Sequence, residues 1–272
     1  MKRRDFLVGL GSVAGLGLVG TGCASAKMGT GTCSKTGQEL IEVKTYTCSN
    51  VAKRDALMKI FDDALIPALN RQGIKNVGVF WASAKENGDN AVYETNVFVV
   101  IPHSDMRSVL EGDQRLLADA QYMKDAAAIF SAPMNDPLYD ACATSLLHGF
   151  ATCPRVKQVT DSPDRLMQLR VYNSYTIERN LKKISMFEDG GEIAIFRACG
   201  MEPVFFGHAL AGDRLPNLTY MLGFANKAAQ DEGWKKFRDH PDWLKLKADP
   251  QYKDTSNKIL NIVMRPSKGS QL

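Results

Sequence analysis

Two short stretches set ionisable and hydrogen-bonding side chains at strictly alternating positions. Glu42, Lys44 and Tyr46 alternate with Ile41, Val43 and Thr45, while Gln168, Arg170 and Tyr172 alternate with Met167, Leu169 and Val171. A period of two puts each polar set on one face of a β-strand. An ionised group on a covered face must be paired or must bind something, because an unpaired buried charge is strongly unfavourable. Two readings follow. Glu42 satisfies Lys44 or Arg170 and the tyrosine hydroxyls close the network, or the polar set lines a pocket for a small ligand.

Histidine supplies the other candidate chemistry. His208 ends an apolar run and is expected on the same face as Val204 and Phe206. It reads either as an axial haem ligand or general base, or as a hydrogen-bonded residue at a strand end. His148 falls in another strand, and His103 and His240 fall at loop or helix ends. The chain has no H-x-x-x-H, no C-x-x-C and no carboxylate triad, so no metal site is expected. It also has no G-x-S-x-G and no phosphate-binding glycine loop. Gly190 and Gly191 lie inside a helical stretch, as an irregularity or a close-packing point. Trp234 and Trp243, with Phe237 between them, have the spacing of core or helix-docking contacts.

The elements that position these residues are legible from periodicity. Strands are expected over 41–46, 77–82, 92–101 and 143–150, with helices over 51–72 and 105–130. Pro67 interrupts the first helix and Gly73 stops it. The same order returns about 127 residues later. Residues 39–46 align with 165–172, and 73–81 with 200–208, which sets His208 where the first copy has Trp81. The second copy places a helix over 177–199, strands over 204–210 and 218–224, a helix over 227–238 and a last strand over 259–264.

Strand, helix, strand, strand, helix, strand, twice over, is the split βαβ unit. The expected fold class is α+β, with two ferredoxin-like βαββαβ units forming an intramolecular α+β barrel. Each unit leaves one sheet face uncovered, and pressing the two faces together closes the barrel. On that scheme Ile41, Val43, Met167, Leu169 and Val171 pack on the helices, and the polar set points at the barrel interior or its rim. The first and fourth strands of such a unit are antiparallel neighbours. Cys48 lies just past the first strand and Cys142 just before the fourth, so the two are expected within disulfide reach. Cys199 is expected as a small buried hydrophobe.

From Leu166 to Tyr252 the sequence resembles the NIPSNAP family, through LMQLRVY, MFEDGGEIAIFRACGMEPVFFG, RLPNLTYML and WKKFRDHPDWLKLKADPQY. The resemblance extends more weakly back to Glu39 and implies membership of the dimeric α+β barrel group. It implies no reaction. The C-terminal Arg265-Pro-Ser-Lys-Gly departs from the family's usual ending.

The first residues are read as targeting sequence. Arg3 and Arg4 followed by Phe6 and Leu7, then a short glycine-rich apolar run, resemble a twin-arginine export signal. Two processing routes stand: cleavage after Ala26 at Ala24-Ser25-Ala26, or lipidation of Cys23 in Gly20-Thr21-Gly22-Cys23. The domain plan is a signal over 1–26, a tether over 27–38, a first domain over 39–153, a linker over 154–163, a second domain over 164–266 and a tail over 267–272. The net charge of +4 includes a net +2 from residues 2–5, so no basic stripe remains for nucleic acid.

The expectation is therefore an exported, periplasmic or envelope-anchored protein that binds a small molecule in its barrel through Glu42, Lys44, Tyr46, Arg170, Tyr172 and His208. An oxygenase-like or haem-dependent enzyme is one alternative, with haem the less favoured cofactor. An interaction protein with a filled barrel is the other. Expected partners are a small ligand, a membrane through Cys23, and further copies of the chain.

Overall fold

Four of the helices that follow a strand start on a residue built to cap them. Asn50, Asp105, Thr176 and Asn226 accept, through side-chain oxygen, the backbone N–H of Lys53, Ser108, Arg179 and Ala229. Those caps fix where each strand hands over to a helix. The computed structural model describes residues 37–88 and 93–272. The export signal, Cys23, Cys33 and most of the tether therefore lie outside the described residues, as do Asp89, Asn90 and Val92 of the expected turn and strand.

The first half runs β1 (Leu40–Thr47), α1 (Val51–Ile60), α2 (Ile66–Arg71), β2 (Gly78–Ala82), α3 (Ala84–Asn87), β3 (Asn96–His103), α4 (Met106–Ala118), α5 (Ala120–Asp125), α6 (Ala127–Phe130) and β4 (Ala141–Gly149). A π-helical turn, Phe61–Leu65, joins α1 to α2. It sits just before Pro67, whose ring and missing N–H disrupt the regular ladder there.

The second half runs β5 (Leu166–Asn173), α7 (Ile177–Glu188), α8 (Glu192–Ala198), β6 (Glu202–Ala211), β7 (Asn217–Phe224), α9 (Lys227–Asp239), α10 (Pro241–Ala248) and β8 (Lys258–Pro266). The single helix expected over 177–199 is two. Gly191 takes the left-handed conformation at φ 82° between them, and a Cβ on Gly190 would lie 2.6 Å from the Met186 carbonyl oxygen.

All eight strands close one antiparallel barrel in the order β1-β3-β2-β8-β5-β7-β6-β4. Each half supplies four consecutive strands, as the duplicated order requires. Two seams join the halves. Trp81 of β2 stands opposite Arg265 of β8, and His208 of β6 stands opposite His148 of β4.

The faces are reversed from the expected arrangement. Ile41, Val43, Met167 and Leu169 fill the barrel interior with Phe80, Phe98, Phe205 and Met221. The polar set faces the helices instead. An eight-stranded barrel is just wide enough to be filled by side chains. Its dry centre therefore takes the apolar face, and charges go where helices leave room for partners and solvent. A β-bulge between Pro203 and Phe205 adds a second correction: Val204 turns inward while Phe206 stays on the helix side, so the two do not share a face.

The linker and tail are part of this core. Val156 and Leu272 are buried in the interior cluster, and Gln271 N–H donates to the Val77 carbonyl. A Cβ on Gly223 would lie 2.3 Å from Val159, so glycine there admits the linker. Residues 154–163 and 267–272 thus pack into the fold rather than trailing from it.

Candidate functional site

Each half-sheet leaves a cleft beneath its helices, at equivalent positions of the two copies. The second cleft, about 790 Å³, opens over Gln168, Arg170 and Tyr172 of β5. Helices α7, α8, α9 and α10 complete it with Lys183, Glu192, Trp234 and Trp243. The local fold explains why charge sits here. Lys183 shares a helix face with Met186 and Phe187, and Glu192 with Ile195 and Phe196, and those apolar neighbours carry both ions into the core.

Lys183 Nζ lies 3.0 Å from Glu192 Oε2, with side chains only 7% and 2% exposed. Burial raises the Glu192 pKa, against the pull of the Lys183 and Arg170 charges. The pair satisfies itself. Arg170 does not have such a partner: among the described residues no carboxylate forms a salt bridge with it. Its guanidinium carbon lies 4.7 Å from the Trp234 ring centroid and 5.2 Å from that of Tyr172. Its buried Nε has no hydrogen-bond partner, and Ser256 Oγ, also lining the cleft, has none either.

The surrounding groups are pinned. Trp234 Nε1 donates to Gln168 Oε1 at 2.6 Å, and Gln230 Nε2 donates to the same oxygen at 3.0 Å. Gln168 in turn donates to Asn261. The Tyr220 hydroxyl donates to that of Tyr172 at 3.4 Å, and burial pushes both phenols to higher pKa. The lining holds four cations, Arg170, Lys183, Arg238 and Lys247, against two carboxylates, Glu192 and Asp254. This cleft is basic and aromatic.

The first cleft, about 370 Å³, collects Glu42, Lys44 and Tyr46. Here the ion pair is made within the strand: Lys44 Nζ lies 3.0 Å from Glu42 Oε1. His103 Nε2 lies 3.4 Å from Glu42 Oε2, and His103 Nδ1 lies 2.9 Å from Ser108 Oγ. Burial opposes the Glu42 charge, but the His103 hydrogen bond and the Lys44 ammonium outweigh it, so the Glu42 pKa is lowered. Glu42 thus pairs with Lys44 and not with Arg170.

The remaining expected residues scatter. His208 lines neither cleft. It lies half-buried on the outer barrel face, and burial together with the His148 charge lowers its pKa. Neither of these two clefts presents His208 as an axial ligand. Cys48 and Cys142 are both free thiols. Cys142 stands opposite Tyr46, not Cys48, and is exposed, whereas Cys48 is buried beneath the first-half helices. The expected disulfide is therefore not formed. Cys199 is a buried free thiol in the second-half core.

Lys183, Glu192, Trp234 and Tyr220 were not among the expected site residues. The two ions carried a signal, since each interrupts an apolar helical face. Trp234 reads as packing from sequence because its role depends on Gln168 and Arg170, far away in the chain.

Residues 167–271 match the NIPSNAP family model. Among curated proteins, no sequence matches this one. Several solved structures are similar in fold. A "putative monooxygenase" from Lactobacillus acidophilus aligns with TM-score 0.57 at 10% identity, covering 84% of this chain and 94% of that one. A second "putative monooxygenase", from Fusobacterium nucleatum, gives 0.56 at 9% identity, covering 84% and 92%. An anthrone oxidase-like protein gives 0.50 at 10% identity, covering 85% and 92%. At these identities the likeness is one of fold: an α+β barrel.

Proposed function

We propose that this protein is an exported binder of a small, planar organic anion, held in the second cleft. One observation carries the reading: Arg170 is fixed between Trp234 and Tyr172 with a buried Nε that no group satisfies, while the nearby Glu192 is committed to Lys183. A guanidinium so held offers a charge-assisted hydrogen bond to a carboxylate or phenolate. The Trp234 and Trp243 rings offer apolar aromatic surface to the rest of the molecule. The ligand site moves out of the barrel, whose interior is filled by side chains.

The first half is read as a second NIPSNAP-like domain of the same ancestry, on its repeated element order. Export rests on Arg3, Arg4 and the apolar run behind them, with Cys23 as the lipidation point or Ala26 as the last residue removed. Terminal-peptide mass spectrometry of the mature protein distinguishes these two routes.

Titration calorimetry with 2-naphthoate and with the uncharged 2-naphthol tests the binding assignment. Naphthoate is expected to bind more tightly, and Arg170→Met to weaken it by about tenfold or more, as loss of a charged hydrogen bond implies. Equal affinity for the two compounds, or an unaffected Arg170→Met variant, overturns it.

A further inference from the structure

We propose that the first cleft is a second and chemically opposite site, which takes an uncharged apolar molecule with one hydrogen-bonding end. The proposal does not depend on what the second cleft binds. It starts from a difference between two equivalent helices. In the second half, α9 buries Gln230, Gly233 and Phe237 against its sheet. In the first half, none of the 13 residues of α4 is buried, although the helix is amphipathic. Leu110 and Leu117 are 74% and 56% exposed, while Val109 and Leu116 line the roof of the cleft, Leu116 also touching the buried core at its edge.

A helix none of whose residues is fully buried leaves apolar surface that closer packing would remove from water. Below α4 the space is walled by Phe61, Leu65, Leu69 and Ile101, all buried apolar residues. An apolar guest laid on that wall takes its own surface and that of the wall out of water. At its polar end the charges are already spent, because Glu42 is matched by Lys44 and hydrogen-bonded to His103. The only further ion of the lining is Asp113, on exposed α4 surface, so the lining holds one cation against two carboxylates. An anion would meet no free cation. An uncharged hydroxyl, amine or carbonyl meets the Tyr46 hydroxyl, which burial, with the neighbouring Cys142, keeps protonated.

The probe is N-phenyl-1-naphthylamine, a neutral dye that fluoresces when taken into apolar surroundings, with its sulfonated analogue 1-anilinonaphthalene-8-sulfonate as competitor. Saturable dye binding is expected in the intact protein and in Arg170→Met alike. Val109→Trp, which fills the cleft from its roof, and Leu116→Gln, which makes it polar, are each expected to weaken binding about tenfold or more. Near-ultraviolet circular dichroism establishes that both variants are folded. The sulfonate is expected not to displace the dye. Absence of saturable binding, unchanged binding in both cleft variants, or loss in Arg170→Met instead overturns the proposal. The naphthoate experiment reads the other cleft, so either assignment can fail while the other stands.

Discussion

Lys44 and Arg170 occupy the same position in the two copies, yet Lys44 pairs with Glu42 at 3.0 Å while Arg170 pairs with no carboxylate among the described residues. The cause is one position away on the same strand face. Where the first copy has Glu42, the second has Gln168, whose amide is committed to Trp234, Gln230 and Asn261. A carboxylate in the first copy closes a network; an amide in the second leaves a guanidinium with a free donor.

Restoring the carboxylate should therefore remove the second site. Gln168→Glu is expected to pair with Arg170 and to lower 2-naphthoate affinity by about tenfold, the scale of a charged hydrogen bond lost to an internal competitor. Calorimetry checks this, and unchanged affinity would sink it.

The Lys183–Glu192 pair should respond asymmetrically to substitution. Lys183→Met alone strands a buried carboxylate and is expected to cost about 3–5 kcal/mol in urea unfolding. The double variant Lys183→Met, Glu192→Leu should recover most of that loss, because apolar pairs of similar volume replace buried ions at little cost.

Acid should weaken the first half through Glu42. Its folded pKa lies below the ordinary value of 4.5, so its contribution to stability is present above that pH. It is lost as pH falls through the folded pKa. Denaturant midpoints measured from pH 6 down to pH 3, about the range in which such a carboxylate titrates, should fall more steeply for the intact protein than for Glu42→Gln.

The barrel interior should be sensitive and the α4 surface tolerant. Phe80→Ala empties a fully buried interior position and is expected to cost about 3–5 kcal/mol. Leu110→Ala, at a position 74% exposed, should stay within about 0.5 kcal/mol of the parent. Thermal or urea unfolding measures both.

Thiol chemistry should separate Cys142 from Cys48. Cys142 is exposed and free, so an alkylating reagent should label it in the folded protein. Cys48 is buried, and burial with the Asp140 charge pushes its pKa up to about 11, so it should label only on unfolding. Peptide mass spectrometry resolves the two, and equal rates would contradict this geometry.

The duplication, the strand order and the closed barrel were legible in the sequence, because periodicity and repeat spacing report local pairing directly. The direction of each strand face was not. Alternation separates Ile41 and Val43 from Glu42 and Lys44, but it leaves open which set meets helices. That choice follows from closing the barrel in a space that only side chains fill. The site was half legible for the same reason. Arg170 and Tyr172 announce themselves on one strand, while Glu192 and Trp234 reach them through helices that fold back from later in the chain.

Closure of the barrel within one polypeptide has a further consequence. In a barrel assembled from two identical subunits, any substitution appears twice, once at each symmetry-related position. Here every position of each half is encoded independently. A change such as glutamate to glutamine alters one cleft and leaves its counterpart intact, so a single folded unit can present two unlike surfaces to small molecules without loss of either.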